Sequence, residues 1–289
     1  WKVWKRLFKK RFYSLKKKIE LYLGEHNSGK TSVIKEKLVE YHTKKNSFNG
    51  ILVIVRNKEF EERIKKDLSI KFDISTLNIF RFRSFVYFIV SKYWNYIYKN
   101  QPEFLGFSET VFLMKEFIRT KDTYFNNENF DKSLIIKLFD RLQRKAENEL
   151  TFEELDFISK NIEQKTLNSI SNNFLKDFSN WMVKRDAPFL DYSLQLETFI
   201  KLIQLEIVKK EIINTYSEAW FIDDIDDSIP VEQHFYELFW EDINSFVYTG
   251  NEYGGLRRFM GSNPYYLKYL KTVSNITLLE NNEQNTFSQ

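Results

Sequence analysis

Short apolar runs alternate with longer stretches in which apolar residues recur every three or four positions, and this rhythm sets the expected elements. Ile19–Leu23 and Ile51–Val55 read as buried strands, followed by helices at about 30–41 and 58–68. Asn49 and Gly50 form the turn signal before the second strand. "ISTLNIFRFRSFVYFIVSKYW" begins strand-like and becomes helical near Ser84. The texture then changes. "VFLMKEFI", "SLIIKLFDRLQRKAENEL" and "LQLETFIKLIQLEIVKKEI" all carry helical spacing, and strand signals return only in "AWFIDDIDD" at 219–227 and "SFVYTGN" at 245–251. Strands alternating with helices predict an α/β fold with a parallel sheet covered on both faces. The simplest organisation is a basic leader at 1–18, a core at 19–95, an inserted helical segment at 96–215 and a return to the core at 216–289.

Charge adds one feature to this pattern. Net charge is +4 over 289 residues, yet the first 18 residues hold nine Lys or Arg and no acid, so the remainder is net acidic. Such a leader, interleaved with Trp, Phe and Tyr, suits nucleic-acid phosphates, an anionic membrane surface or a solvated helix face. With no cysteine, disulfides and thiolate metal sites are excluded, and three scattered histidines give zinc little support. No apolar run reaches the roughly 18 residues of a membrane span, so a cytoplasmic protein is expected. The first residue is Trp rather than Met, which suggests a trimmed sequence.

The candidate chemistry sits where the first strand ends. "GEHNSGKT", Gly24 to Thr31, fits G-x-x-x-x-G-K-[ST] with a strand before it and a helix after. Such a loop turns backbone N–H groups toward phosphates at a helix N-terminus. Gly24, Asn27, Ser28, Gly29, Lys30 and Thr31 would then cradle ATP, with Lys30 neutralising the β- and γ-phosphates and the Thr31 hydroxyl on Mg2+. A second acid on a neighbouring strand is needed for the metal, and "AWFIDDIDD" offers Asp223 and Asp224.

These motifs resemble, in order, those of the UvrD/Rep/PcrA-like superfamily 1 DNA helicases. "GEHNSGKT" looks like their first motif, and "ILVIVRNKEFEERIKKDL" is similar to the next, with Asn57, Lys58, Glu62, Arg63 and Ile64 fitting. "RFRSF" matches Thr-Phe-His-Ser-Phe at Phe82, Ser84 and Phe85, and "LDYSLQL" resembles the segment closing the family's inserted helical subdomain. "FIDDIDD" stands in place of Asp-Glu-x-Gln-Asp. "YTGNEYGGLRRFMGSNP" and "ITLLENNEQN" resemble later motifs. The resemblance implies a RecA-like P-loop NTPase sheet interrupted by an all-helical insertion, forming the N-terminal motor half of a helicase. It implies Asp223 on Mg2+, Asp224 as general base, and Asn57, Lys58, Phe82, Arg83 and Ser84 along a path for single-stranded or partly duplex DNA.

Several positions depart from the family pattern. Asp224 replaces the usual Glu, Gly254 a Gln, Met260 a nucleotide-sensing Arg, and Gln284 the Arg that stabilises γ-phosphate charge, with Arg257 and Arg258 near the lost Arg. Arginines of this kind are worth orders of magnitude in rate, so slow hydrolysis or none is expected. The sequence spans one motor half. Two functions follow: an ATP-binding, helicase-related protein of DNA repair or recombination, or a degenerate P-loop protein that binds nucleic acid or protein without unwinding.

Overall fold

The computed structural model describes residue 15 and residues 18–120, 132–155, 165–254, 262–263 and 265–279; the side chains of 132 and 165–171 are not included. The leader expected at 1–18 lies largely outside the described residues, as do Arg257, Arg258, Met260 and Gln284. Two compact units result: 1–85 with 206–289, and 86–205 between them. The second unit thus begins and ends earlier in sequence than the insertion expected at 96–215.

The first unit is built on a six-stranded, fully parallel sheet. Its strands are β1 (Ile19–Leu23), β2 (Ile51–Val55), β3 (Asn78–Arg81), β6 (Ala219–Ile222), β7 (Ser245–Gly250) and β8 (Asn275–Leu278). They run in the order β3-β2-β6-β7-β1-β8. All five residues of β2 and all four of β6 are buried, as central strands covered on both faces require. Alternation divides the core in two. Val53, Val55, Phe221 and Val247 join one apolar cluster with Ile34 and Leu38 of helix α1 (Lys30–Lys45) and Ile64 and Leu68 of helix α2 (Lys58–Ser69). In each helix the two buried residues are four apart, so a narrow stripe faces the sheet while charged residues face water.

The other face is aromatic. Trp220 contacts Phe246 and the Phe235, Tyr236 and Phe239 rings of α9 (Pro230–Phe239), with ring centroids 5.1–6.4 Å apart. Two further helices, α8 (Glu206–Thr215) and α10 (Tyr265–Val273), complete the described elements of this unit. Chain continuity to the second unit runs through α3 (Phe82–Tyr93).

The second unit is mainly helical, with α4 (Phe107–Thr120), α5 (Lys132–Glu147), α6 (Lys165–Val183) and α7 (Tyr192–Ile203). It also holds a small parallel pair, β4 (Glu103–Phe104) with β5 (Phe189–Leu190), for which the sequence carries no strand signal. Asp191 ends that pair and caps α7: its carboxylate accepts from the Leu194 N–H at 2.9 Å and the Ser193 hydroxyl at 2.8 Å. Phe117, Phe174, Phe178 and Trp181 form its aromatic core. No described helix is long and apolar enough to cross a membrane.

Candidate nucleotide site

The ladder of β1 and β7 continues one step past the strand, where the Gly24 N–H donates to Gly250 O at 3.0 Å. Beyond it the chain curls. Asn27 has φ 64° and Gly29 φ 88°, both left-handed, and nothing lies within 4 Å of where a Gly29 side chain would begin. Gly29 therefore serves the backbone turn and not a packing gap. It is also the N-cap of α1, and no side chain caps this helix nor is any acid present in its first turn. The positive end of a 16-residue helix is left to face whatever enters the loop.

Lys30, the first residue of that helix, donates through Nζ to Gly24 O and Glu25 O, each at 3.1 Å, and lies 3.7 Å from Asp224 Oδ1. Its ammonium so bridges the loop and the end of β6. Ser28 Oγ is buried and has no hydrogen-bond partner among the described residues.

The acids stand at the end of β6, across the cleft. Asp223 is 8% exposed, its N–H donates to Ile54 O at 3.0 Å, and its carboxylate accepts from Thr249 Oγ1 at 2.8 Å. Burial, reinforced by the Asp224 charge, pushes Asp223 up to about 7, against the opposing pull of Thr249 and Lys30. Asp224 adopts left-handed geometry at φ 47°, and its N–H donates to the same Thr249 hydroxyl at 3.2 Å. Thr249 thereby fixes both acids from the neighbouring strand. Sequence reading passes over it, although a hydroxyl at the end of the buried strand "SFVYTG" is the available signal.

A cavity of about 420 Å³ is lined by Asn27, Ser28, Gly29, Lys30 and Thr31, with Asp223 and Asp224 opposite. Asn57 also lines this cavity. Its side chain also caps α2, accepting from the Phe60 N–H at 2.8 Å. Phe60 and Arg63 on α2 line the cavity as well, and neither was assigned to the nucleotide from sequence.

The remaining DNA-path candidates separate from this cleft. Lys58 is exposed and pairs with Glu62 at 3.2 Å. Arg83 is exposed and Ser84 half-buried. Phe82 is 7% exposed and packs against Phe235, so as a base platform it needs correcting to a core residue: apolar burial at the start of α3 claims the ring.

The UvrD/REP helicase N-terminal domain family matches residues 27–268, from inside the phosphate loop to α10. The chain belongs to the UvrD/REP helicase family. No curated protein matches it. UvrD-like domains use ATP and Mg2+ in general and engage nucleic acid. The residues here fit such a ligand physically. An uncapped helix N-terminus, a buried hydroxyl without a partner, a lysine paired with half-buried Asp224 and the buried Asp223 next to it are the donor and acceptor set a metal-bound triphosphate needs.

Proposed function

We propose that this UvrD/REP-family chain binds ATP with Mg2+ in the Gly24–Thr31 loop and couples that binding to single-stranded or partly duplex DNA. The observation that supports it best is the convergence on one cavity of the loop, Lys30, Asp223 and Asp224. In this reading the N–H groups of Ser28, Gly29 and Lys30 cradle the phosphates, and Lys30 exchanges its loop carbonyls for phosphate oxygens. Thr31 and Asp223 hold the metal, whose chemistry is to neutralise phosphate charge. Asp224, the more exposed acid, accepts the proton of an attacking water. Thr249 keeps both carboxylates in place. Asn57, Lys58, Arg83 and Ser84 supply polar contacts to a nucleic-acid strand, and a role in DNA repair or recombination follows from that activity. A chain acting on DNA with ATP works where both are at hand, in the cytoplasm.

A second reading, nucleotide binding without unwinding, draws support from Gly254 and Asp226. The glycine stands where the resemblance places a Gln, and the Asp226 carboxylate fills the space beside it. Titration of a fluorescent ATP analogue, with turnover measured with and without single-stranded DNA, tests both. Lys30→Ala is expected to weaken nucleotide binding about a hundredfold, the scale of lost charge-assisted hydrogen bonds. Unchanged affinity in that variant would remove the site assignment. Binding without DNA-stimulated turnover would select the second reading.

A further inference from the structure

Two consecutive residues of β7 hold the two halves of the nucleotide site. Gly250 O accepts from the Gly24 N–H, where the phosphate loop begins. Thr249, one residue earlier, donates through Oγ1 to Asp223 Oδ1 at 2.8 Å and accepts from the Asp224 N–H at 3.2 Å. β7 pairs with β1 on one side and with β6 on the other, so the register between loop and acids passes through this strand end. Thr249 is not among the residues lining the cavity.

Packing does not explain the hydroxyl. Thr249 is fully buried, and alternation places it on the sheet face of Val247, which joins the apolar cluster shared with α1. A valine there would fill the same volume and suit a strand equally well. A buried hydroxyl costs free energy unless it is hydrogen-bonded, and this one is spent on the two acids. Asp223 is itself buried, so an orientation lost there is not restored by solvent. With Oδ1 held by Thr249, covalent geometry fixes the direction of Oδ2. Asp224 needs holding for a different reason. Its backbone is left-handed at φ 47°, a conformation that persists in a residue other than glycine where the surroundings enforce it. Its side chain is also one methylene shorter than the Glu of the family pattern, which leaves less reach to correct a misplaced backbone.

We infer that Thr249 is a positioning residue whose hydroxyl, and not its bulk, sets how readily the site takes up Mg2+ with its nucleotide. This rests on the metal–nucleotide part of the proposed function. It adds that metal affinity is governed from β7, by a side chain outside the cavity.

The test is a Mg2+ titration of fluorescent ATP-analogue binding to the whole chain, with a metal-free arm in EDTA and thermal melts alongside. Thr249→Val removes the hydroxyl at nearly constant volume. It is expected to raise the Mg2+ concentration for half-maximal binding about tenfold, the lower end of what losing a ligand-orienting partner costs. Affinity in EDTA should stay native, because the loop and Lys30 are untouched. Thr249→Ser keeps the hydroxyl and should keep the native Mg2+ requirement, whatever loss of the methyl group does to the melting temperature. Thr249→Cys exchanges the O–H for a weak S–H donor and should behave like the valine variant. The serine and cysteine variants together decide the matter if the valine variant unfolds. A native Mg2+ requirement without the hydroxyl would overturn the inference, as would a serine variant shifted as far as the others. An equal loss of affinity in EDTA would overturn it too, by marking a general distortion of the cleft. Failure of the unsubstituted chain to bind the analogue in excess Mg2+ would instead sink the nucleotide reading itself.

Discussion

The Asp226 carboxylate occupies the space in which a residue-254 side chain would begin: a Cβ on Gly254 would lie 1.9 Å from Asp226 Oδ2 and 2.8 Å from its Cγ. Asp226 is 4% exposed and accepts from the Asn251 N–H at 2.8 Å, so it anchors the segment leaving β7. Glycine at 254 and a buried acid at 226 form one packing solution. Gly254→Gln, which restores the residue implied by the family resemblance, is expected to destabilise the fold by about 1–3 kcal/mol through overpacking. Combined with Asp226→Ala, it should cost less than the sum of the two single changes, because the added side chain then has room. Denaturant unfolding of the four-member cycle checks this, and strict additivity would refute the coupling.

Arg63 lines the nucleotide cavity from α2. A guanidinium there adds positive charge for an anionic ligand without touching the loop backbone. Arg63→Ala should weaken ATP binding about fivefold, a smaller effect than Lys30→Ala because the side chain is exposed and its contacts are solvent-screened. Calorimetric titration with ATP reads it. Equal loss of ATP affinity in the Arg63 and Lys30 variants would contradict the ranking.

The phosphate loop and the strand before it are legible in sequence because each depends on local signals: a short strand with Ile19, Leu21 and Leu23 alternating inward, glycines at fixed spacing and a helix-period stretch behind them. The parallel sheet follows from the same alternation of strands and helices. Arg63 and Phe60 are not legible as parts of this site, since their positions depend on how α2 docks beside the loop. β8 escapes for another reason. All four of its residues are exposed at the sheet edge, so burial imprints no pattern on them. The β4–β5 pair is two residues long on each side, too short for alternation to register. Asp226 reads in sequence as part of an acidic turn, and only three-dimensional packing against Gly254 shows it to be buried.

Glu232 is buried on α9, accepts from Tyr236 Oη at 2.6 Å, and feels the opposing charge of Arg56. Burial outweighs both partners and raises its pKa above the usual carboxylate range. The folded protein thus holds this proton more tightly than the unfolded chain. The resulting stabilisation is complete below the unfolded value of about 4.3 and is lost as pH rises through the folded one. Glu232→Gln removes this titration while keeping an acceptor for Tyr236. Thermal melts from about pH 4.5 upward should show a shallower loss of stability with pH in the variant than in the native chain. Parallel pH profiles would exclude Glu232 as the source.

Asn57 faces two demands that substitution can separate. Its side chain caps α2 at the Phe60 N–H, and the same residue borders the cavity and belongs to the polar set proposed for DNA. Asn57→Ala removes cap and amide together and should cost about 1 kcal/mol of stability. Asn57→Ser retains a capping oxygen but is shorter and has no amide N–H donors, so stability should stay close to native. If the residue serves only the helix, oligo-dT affinity in the serine variant will match the native chain. If the amide also touches nucleic acid, the serine variant will bind DNA more weakly at unchanged stability, because a lost hydrogen bond to a ligand leaves the folded state untouched. Chemical denaturation and anisotropy on the same two proteins separate these outcomes, and loss of DNA affinity only in the alanine variant assigns Asn57 to the cap alone.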